Sequence, residues 1–387
     1  MLHSHLPRRH HPHHHHSQPP PAAMAAEGAT PLLEGLLDDI VLWDILVLLD
    51  PKSLIRCRAV RRAWRGATST RRFLLAHHAR QPAFPAFSSS GCRNFLALDH
   101  RAAQLHTVAR HDEPFFLEAS CDGLLLSRSY SGRRLTVYNP ATREHVSLRC
   151  PSWGFNIVGM YPHGLTGEYR LLLTNFMLPE GQTGCYVLQL GSDEPPRYIG
   201  WLEMVKPLCI EISALVRDSL HWFLLKHGKY VLVFDTTAES FRHMRGPLPL
   251  GGIDAGLFEM DDTLGIHCHD DAMEIVTIWV LQDYQSEVWH LKYRIKLPVA
   301  DIWEKLQVGG ESWGLGVGVV SGDGDVLLLI HFRGWLLQVD SDGKLIKSFD
   351  CGHRDLCIYE YRLKQSLVKH TFLRALKGSE GSASPLI

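Results

Sequence analysis

Six turn signals, spread evenly between residues 95 and 370, limit what this chain can fold into. They lie at Asp99, at Asn139 in YNPATRE, near Gly191, at Asp235 in FDTTAES, at Asp283 in LQDYQSE and at Asp340 in VDSDGK. Each stands between two apolar, β-rich runs, and no long helical pattern intervenes. Their spacings are 40, 52, 44, 48 and 57 residues. A repeat of about 50 residues is the length of a four-stranded β-propeller blade. One such turn signifies little, because Asp and Asn open turns in every fold. Six at a similar spacing predict a propeller-like domain over 95–370. Turn signals do not fix how sheets close, so a pair of β-sandwiches is the alternative.

Residues 32–78 have a different texture and predict helices. LLDDIVLWDILVLL opens on Asp38 and Asp39 and is then apolar almost all the way round. A helix apolar on every face must be buried on every face. Asp50 and Pro51 predict an N-cap and a first-turn proline opening a second helix. Its 3.6-residue period places Leu54, Cys57, Val60 and Trp64 on one stripe, flanked by Arg58, Arg61, Arg62 and Arg65. About 45 residues cannot bury so much apolar surface alone, so a partner is required, in the chain or outside it. The fold class expected is α+β and multidomain, a small three-helix module followed by an all-β, propeller-like domain. Residues 1–30 read as a disordered His/Pro-rich leader, with Met24 as an alternative start. Residues 79–94 read as a linker and 371–387 as a flexible tail.

Charge is local. Through Arg93 the chain holds 12 Lys and Arg against 6 Asp and Glu, and Pro51 through Leu98 contains no acidic residue. A basic helix of this kind suits phosphates. The regular apolar stripe competes for burial, however, and no DNA-binding motif surrounds it. The basic flank fits an acidic protein surface better, so nucleic acid is not expected as a partner. Nine cysteines stand singly, with no CxxC pair, which fits free thiols in an intracellular, reducing setting. No apolar run is long enough to cross a bilayer, and no membrane association is expected.

Other residues of chemical interest read as structural. Eight of the 24 histidines lie in residues 1–30, where nothing enforces a ligand geometry. His267 and His269 in HCHDD share a strand face, but two ligands make no metal site; a turn between strands is the better reading. GGESWGLGVG at 309–318 lacks the strand–turn–helix context of a phosphate loop. SGDGD at 321–325 lacks the spaced carboxylates of a calcium loop. There is no GxSxG nucleophile elbow. No catalytic residue, metal or cofactor is nominated. Trp153, Trp222, Trp303 and Trp313 are either blade core or substrate contacts, and the substrate-binding residues stay unassigned.

The residues also carry a resemblance. LLDDIVLWDILVLLDPKSLIRCRAVRRAWRGATSTRRFLLAH resembles an F-box, with an acidic pair, an Ile-Leu helix, a Pro-Lys-Ser-Leu turn and a closing Trp64. Downstream, SCDGLLL with YNPATRE, then TGEYRLLL, then DSLHWFLL with VFDTTAESF, then VTIWVLQDYQSEVWHLKYRI and finally KQSLV occur in order. They resemble the F-box-associated, kelch-like interaction domain of plant F-box proteins. The resemblance spans about residues 35–370. It implies that the first module docks on a Skp-family adaptor, and through it on a cullin and a RING protein. The second module then holds a protein substrate for ubiquitin transfer, with no chemistry of its own. Leu36, Ile40, Ile45, Leu46, Leu49, Pro51, Leu54, Val60 and Trp64 are expected to form or support the adaptor interface. The competing reading is a non-ligase interaction propeller with an F-box-like structural cap. The chain departs from the family at Leu37, where a proline is usual, at Leu48, where a basic residue is usual, and at Asp50, where a proline is usual. Asp50 is tolerable because it caps the next helix.

Overall fold

The computed structural model describes residues 38–373, apart from 90–92, 100–101, 103, 133, 150–153, 176, 178–182, 201–211, 225–229, 248–254, 271, 273, 307–315, 323–324, 333 and 352–355. The leader, Met24, Leu36, Leu37, Trp153 and Trp313, and residues 309–315 of GGESWGLGVG, lie outside the described residues. So does the Trp303 side chain.

The described residues open with a continuous helical segment that changes pitch: α1 (Asp38–Ile40), a π-helical turn (Val41–Ile45) and a 3₁₀ turn (Leu46–Leu48). Three helices follow: α2 (Pro51–Val60), α3 (Arg62–Thr68) and α4 (Arg71–Arg80). Blade 1 takes β1 (Ala83–Ser89), β2 (Asn94–Asp99) and β3 (Gln104–Arg110). Blade 2 is β4 (Phe115–Cys121), β5 (Leu124–Ser129), β6 (Arg134–Asn139) and β7 (Glu144–Arg149). Blade 3 is β8 (Phe155–Pro162), β9 (Tyr169–Asn175), β10 (Gly184–Gln189) and β11 (Arg197–Gly200). Blade 4 is β12 (Ala214–Val216), β13 (Ser219–Phe223), β14 (Tyr230–Asp235) and β15 (Ser240–Arg245). Blade 5 is β16 (Ala255–Met260), β17 (Thr263–His269), β18 (Ile275–Asp283) and β19 (Val288–Lys296). Helix α5 (Val299–Leu306) leads to blade 6: β20 (Gly316–Gly322), β21 (Asp325–Phe332), β22 (Trp335–Val339) and β23 (Leu345–Asp350). The last strand, β24 (Leu356–Lys364), returns to blade 1 and completes it in the order β24-β1-β2-β3. The fold is a six-bladed β-propeller preceded by a helical module.

All six turn signals fall at one place, the connection between the third and fourth strands of a blade. Five of the six share one mechanism, and the sixth, at Gly191, uses a glycine with φ 85° instead. Asn139 Oδ1 accepts from the Ala141 and Thr142 amides, and Asp235 Oδ1 from Thr237 and Ala238. Asp283 Oδ1 accepts from Gln285 and Ser286, and Asp340 Oδ1 from Asp342 and Lys344. A carboxylate or amide oxygen thus closes the turn on its own backbone. Arg143, Glu239 and Glu287 end three of these turns with φ of 60°, 50° and 57°. Two of them reach back to the preceding blade: Glu239 accepts from Arg170 and Arg197 of blade 3, and Glu287 from Arg242 and Arg245 of blade 4.

Burial follows position in the blade. Every residue of β13 is buried, whereas the outer strands β3 and β15 are mostly exposed. Central strands are sandwiched by blades on both sides, so they read as unbroken apolar runs. Trp222 belongs to this core, fully buried with Tyr161, Leu172 and Phe234; it is not a substrate contact. The first strands β24, β4 and β8 are neighbours in space, as are β12, β16, β20 and β24. They surround a central channel.

Two expectations need correction. Residues 79–94 are not a linker: they hold the end of α4 and all of β1. The propeller therefore starts at Ala83, because β24 needs a hydrogen-bonding partner and pairs with β1 from Ala83↔Lys364 to Ser89↔Leu356. His267 and His269 do not form a turn. They are buried in β17, and the turn begins at Asp270, whose Oδ1 accepts from the Glu274 and Ile275 amides.

His221, in β13, makes the propeller sensitive to acid. Its Nδ1 lies 3.3 Å from the Ala214 carbonyl and its Nε2 2.8 Å from Tyr284 Oη. Burial disfavours the imidazolium and, with the nearby Arg242 cation, holds its pKa down at about 4. The unfolded chain keeps the ordinary value of about 6.5, so it binds the extra proton first as pH falls. Stability is therefore complete above pH 6.5 and is lost between there and 4. At pH 5 the loss is about 2 kcal/mol relative to pH 8. Melting temperatures of wild type and His221→Gln across that range check this: the variant is expected to show the shallower slope.

Candidate partner-binding surface of the helical module

The module is built from the Asp50–Pro51 corner. Asp50 Oδ1 accepts from the Lys52 and Ser53 amides at 2.9 and 3.0 Å, capping α2, with Pro51 at its first position. Burial works to raise the Asp50 pKa, but these hydrogen bonds outweigh it and hold the carboxylate below its usual range. The preceding Leu49 carbonyl receives His77 Nε2 at 2.8 Å and Gln81 Nε2 at 3.0 Å. Helix α4 is thereby tied to the corner. Burial lowers the His77 pKa, so the ring stays neutral there.

Val41, Leu46, Val47, Leu54, Trp64, Phe73 and Leu74 form the core. Trp43 lies against Phe73, ring centroids 5.6 Å apart, and Arg72 covers its outer face. The core is completed by Leu367 and Val368, which follow β24. Around them, Asn139 Nδ2 donates to the Ser366 carbonyl (2.9 Å) and Lys364 Nζ to the Ala79 carbonyl (3.0 Å). His78 Nε2 lies 3.5 Å from Asp122 Oδ1, and Tyr169 Oη donates to Asp122 Oδ2 at 2.8 Å. The partner that the apolar helix demands is thus partly inside the chain.

The expected single stripe through Leu54, Cys57, Val60 and Trp64 does not form. The chain leaves helical geometry at Arg61 (φ −136°, ψ 130°), so α2 and α3 are separate helices. Leu54 and Trp64 point into the core, whereas Val60 is 76% exposed. The arginines are not mere flank either. Arg58 spans the break: its Nε donates to Thr68 Oγ1 (3.0 Å) and its Nη2 to the Thr68 carbonyl (2.6 Å). Arg65 Nε donates to the Arg58 carbonyl at 3.2 Å. Arg58→Ala is expected to cost the module roughly 2 kcal/mol, because charged hydrogen bonds are lost and the Thr68 carbonyl is left unmet. Hydrogen exchange of α2 and α3 amides would register this as lost protection.

The nine expected interface residues divide. Leu46, Pro51, Leu54 and Trp64 are buried within the module, and Leu49 is half-buried. Ile40 and Ile45 are exposed, as is Val60. Leu36 lies outside the described residues. Three further aliphatic side chains, Leu48 (62% exposed), Ile55 (46%) and Leu75 (42%), join the exposed set. The sequence groups Leu48 with the all-round apolar helix, so its exposure shows only in the structure. Ile55 sits one residue, about 100°, off the buried Leu54. The module also exposes Lys52, Arg56, Arg61, Arg62 and Arg65. Its outer surface is therefore aliphatic and basic, suited to an apolar partner surface with an acidic rim.

The chain is 22% identical over 288 residues to the F-box/LRR-repeat protein At2g43260 of Arabidopsis thaliana, covering 66% of each. It is 24% identical to F-box protein At5g10340 of the same plant, over 70% of this chain and 71% of that one. With F-box protein At1g52495 it shares 23% identity, over 64% and 65%. The chain is a relative of the plant F-box proteins. The matched region spans about two thirds of the length of these relatives. No family model matches the chain. Among solved structures it is similar to a protein of unknown function from Bacteroides caccae, with 9% identity and a TM-score of 0.40 over 71% of this chain and 98% of that one. It is also similar to the periplasmic gluconolactonase PpgL of Pseudomonas aeruginosa, with 12% identity and a TM-score of 0.37 over 71% and 99%. The helical module stands where the sequence resembles an F-box, and the exposed aliphatic set lies on it. Among the described residues no helix is long and apolar enough to cross a membrane, and no cluster of His, Cys, Asp and Glu is placed to hold a metal ion.

Proposed function

We propose that this chain is the substrate-recognition subunit of a Skp–cullin–F-box ubiquitin ligase. The F-box docks on a Skp-family adaptor, which brings the cullin and RING protein, and the propeller holds a protein substrate. The subunit itself is non-catalytic; it raises the local concentration of substrate near the charged ubiquitin carrier. One observation carries the reading. After the core and the Leu367–Val368 segment have covered the inner side of the F-box, Ile40, Ile45, Leu48, Ile55 and Val60 remain in solvent.

Topology supports the division of labour. The F-box sits where β24 ends and β1 begins. The connection 111–114 joins strand ends on the opposite face, so a loop for a substrate there stands clear of the adaptor.

The packing of Leu367 and Val368 favours a second reading, in which the helices only cap the propeller. A cap needs no aliphatic surface on its outer side, which is why the ligase reading is preferred. Co-expression with a Skp-family adaptor and a cullin separates the two. Recovery of all three in one size-exclusion peak supports the ligase subunit; a folded chain that elutes alone supports the cap.

A further inference from the structure

On the face opposite the helical module, two aromatic rings reach solvent side by side. Phe116, near the start of β4, is 40% exposed, and Tyr130, in the turn between β5 and β6, is 66% exposed. The rings stack on each other, centroids 5.5 Å apart and planes 26° from parallel. Exposed apolar surface that is grouped and rimmed by polar residues marks a contact site.

The rings stand on a ledge braced by its own hydrogen bonds. The Tyr130 amide donates to the Pro114 carbonyl at 2.9 Å, which ties the turn to the connection 111–114. The His111 amide donates to the Arg93 carbonyl at 2.7 Å, which ties that connection to the residue before β2. Within the turn, the Gly132 amide donates to the Ser129 carbonyl at 2.8 Å and the Arg134 amide to Ser129 Oγ at 3.2 Å. A surface already held in place loses little freedom on binding.

Arginines rim the ledge. Arg93, Arg110 and Arg134 are exposed, and their guanidinium groups have no ion pair among the described residues. Arg128 differs: its Nε donates to Glu118 Oε1 at 2.6 Å, so its charge is answered within the chain. Three open guanidinium groups suit carboxylates, each of which can take two parallel hydrogen bonds. Asp112 and Glu113 lie on the same ledge. They would repel a continuous phosphate chain, whereas a peptide can set its charges only where the arginines are.

We propose that this ledge binds an acidic, extended segment of the protein substrate, with an apolar side chain of that segment laid against Phe116 and Tyr130. This rests on the substrate-receptor role proposed above and gives the receptor its specificity.

Three fluorescein-labelled nonapeptides separate the two components. The first has Asp-Glu-Asp runs on both sides of a Leu-Pro-Phe centre. In the second the runs become Asn-Gln-Asn, and in the third the centre becomes Gly-Gly-Gly. Fluorescence anisotropy with the full chain is expected to show the first peptide binding and each of the others about tenfold weaker. Added salt should weaken the first as well. Arg134→Glu and Tyr130→Ser change exposed side chains, so the melting temperature should hold while affinity for the first peptide falls about tenfold. No binding of the first peptide, equal affinity for all three, or undiminished binding by the folded variants would overturn the proposal. So would tighter binding of a single-stranded oligouridylate that the same variants weaken. Adaptor co-elution is a separate readout. Peptide binding without adaptor co-elution removes the ligase reading and keeps the acidic ligand; adaptor co-elution without peptide binding does the reverse.

Discussion

Deleting residues 356–387 is expected to unfold the whole chain rather than to trim one strand. Strand β24 holds the innermost place in blade 1, paired with β1 along its full length. Without it, β1 becomes an open edge facing the channel, and the ring has no closing contact between blades 6 and 2. The deletion also removes Leu363 from the blade 1–2 core and Leu367 and Val368 from the F-box core. Fully burying each such side chain is worth about 1.5–3 kcal/mol. Three of them approach the whole stability of a domain, about 5–15 kcal/mol. The expected result is loss of a cooperative thermal transition by circular dichroism and rapid digestion by a protease. A truncated chain that melts cooperatively near the wild-type temperature would show that closure matters little. The subtler Leu367→Ala should leave the propeller transition in place while lowering hydrogen-exchange protection in α2–α4.

Replacing Ile45 and Ile55 by Asp together is expected to abolish adaptor binding while leaving the fold intact. Both side chains are in solvent, so the carboxylates meet water in the free protein. At an interface they would be desolvated, and aliphatic anchors of this kind cost about 2 kcal/mol or more when lost. Each substitution should weaken binding about thirtyfold, and the pair nearly a thousandfold if the effects add. The measurement is calorimetry of the purified chain against a Skp-family adaptor, with the melting temperature as the fold control. Undiminished binding by a folded double variant would remove this surface from the interface. Leu49 and Leu54 are unsuited to the test. Leu54 is wholly buried, and the Leu49 carbonyl anchors His77 and Gln81. Their loss would unfold the module and say nothing about docking.

Much of this architecture is local chemistry and so was legible in the chain. The turn side chains at Asn139, Asp235, Asp283 and Asp340 bind their own backbone two to four residues on, which needs no distant partner. Repeating that device gave away the blades. The Asp50–Pro51 cap is equally local. What only the tertiary structure decided is everything that depends on residues far apart in sequence. Six blades close because β24 returns to β1 across more than two thirds of the chain. The break at Arg61 is spanned by Arg58, which bonds Thr68 at the end of α3, a contact between residues ten apart. Which aliphatic residues of the F-box face out depends on Leu367 and Val368 covering the inner side. Glu259, Ser321 and Arg362 meet only because three separate blades turn their strands β16, β20 and β24 to one channel. Local pattern sets elements and turns; burial and charge neighbours are long-range, and a single sequence leaves them open.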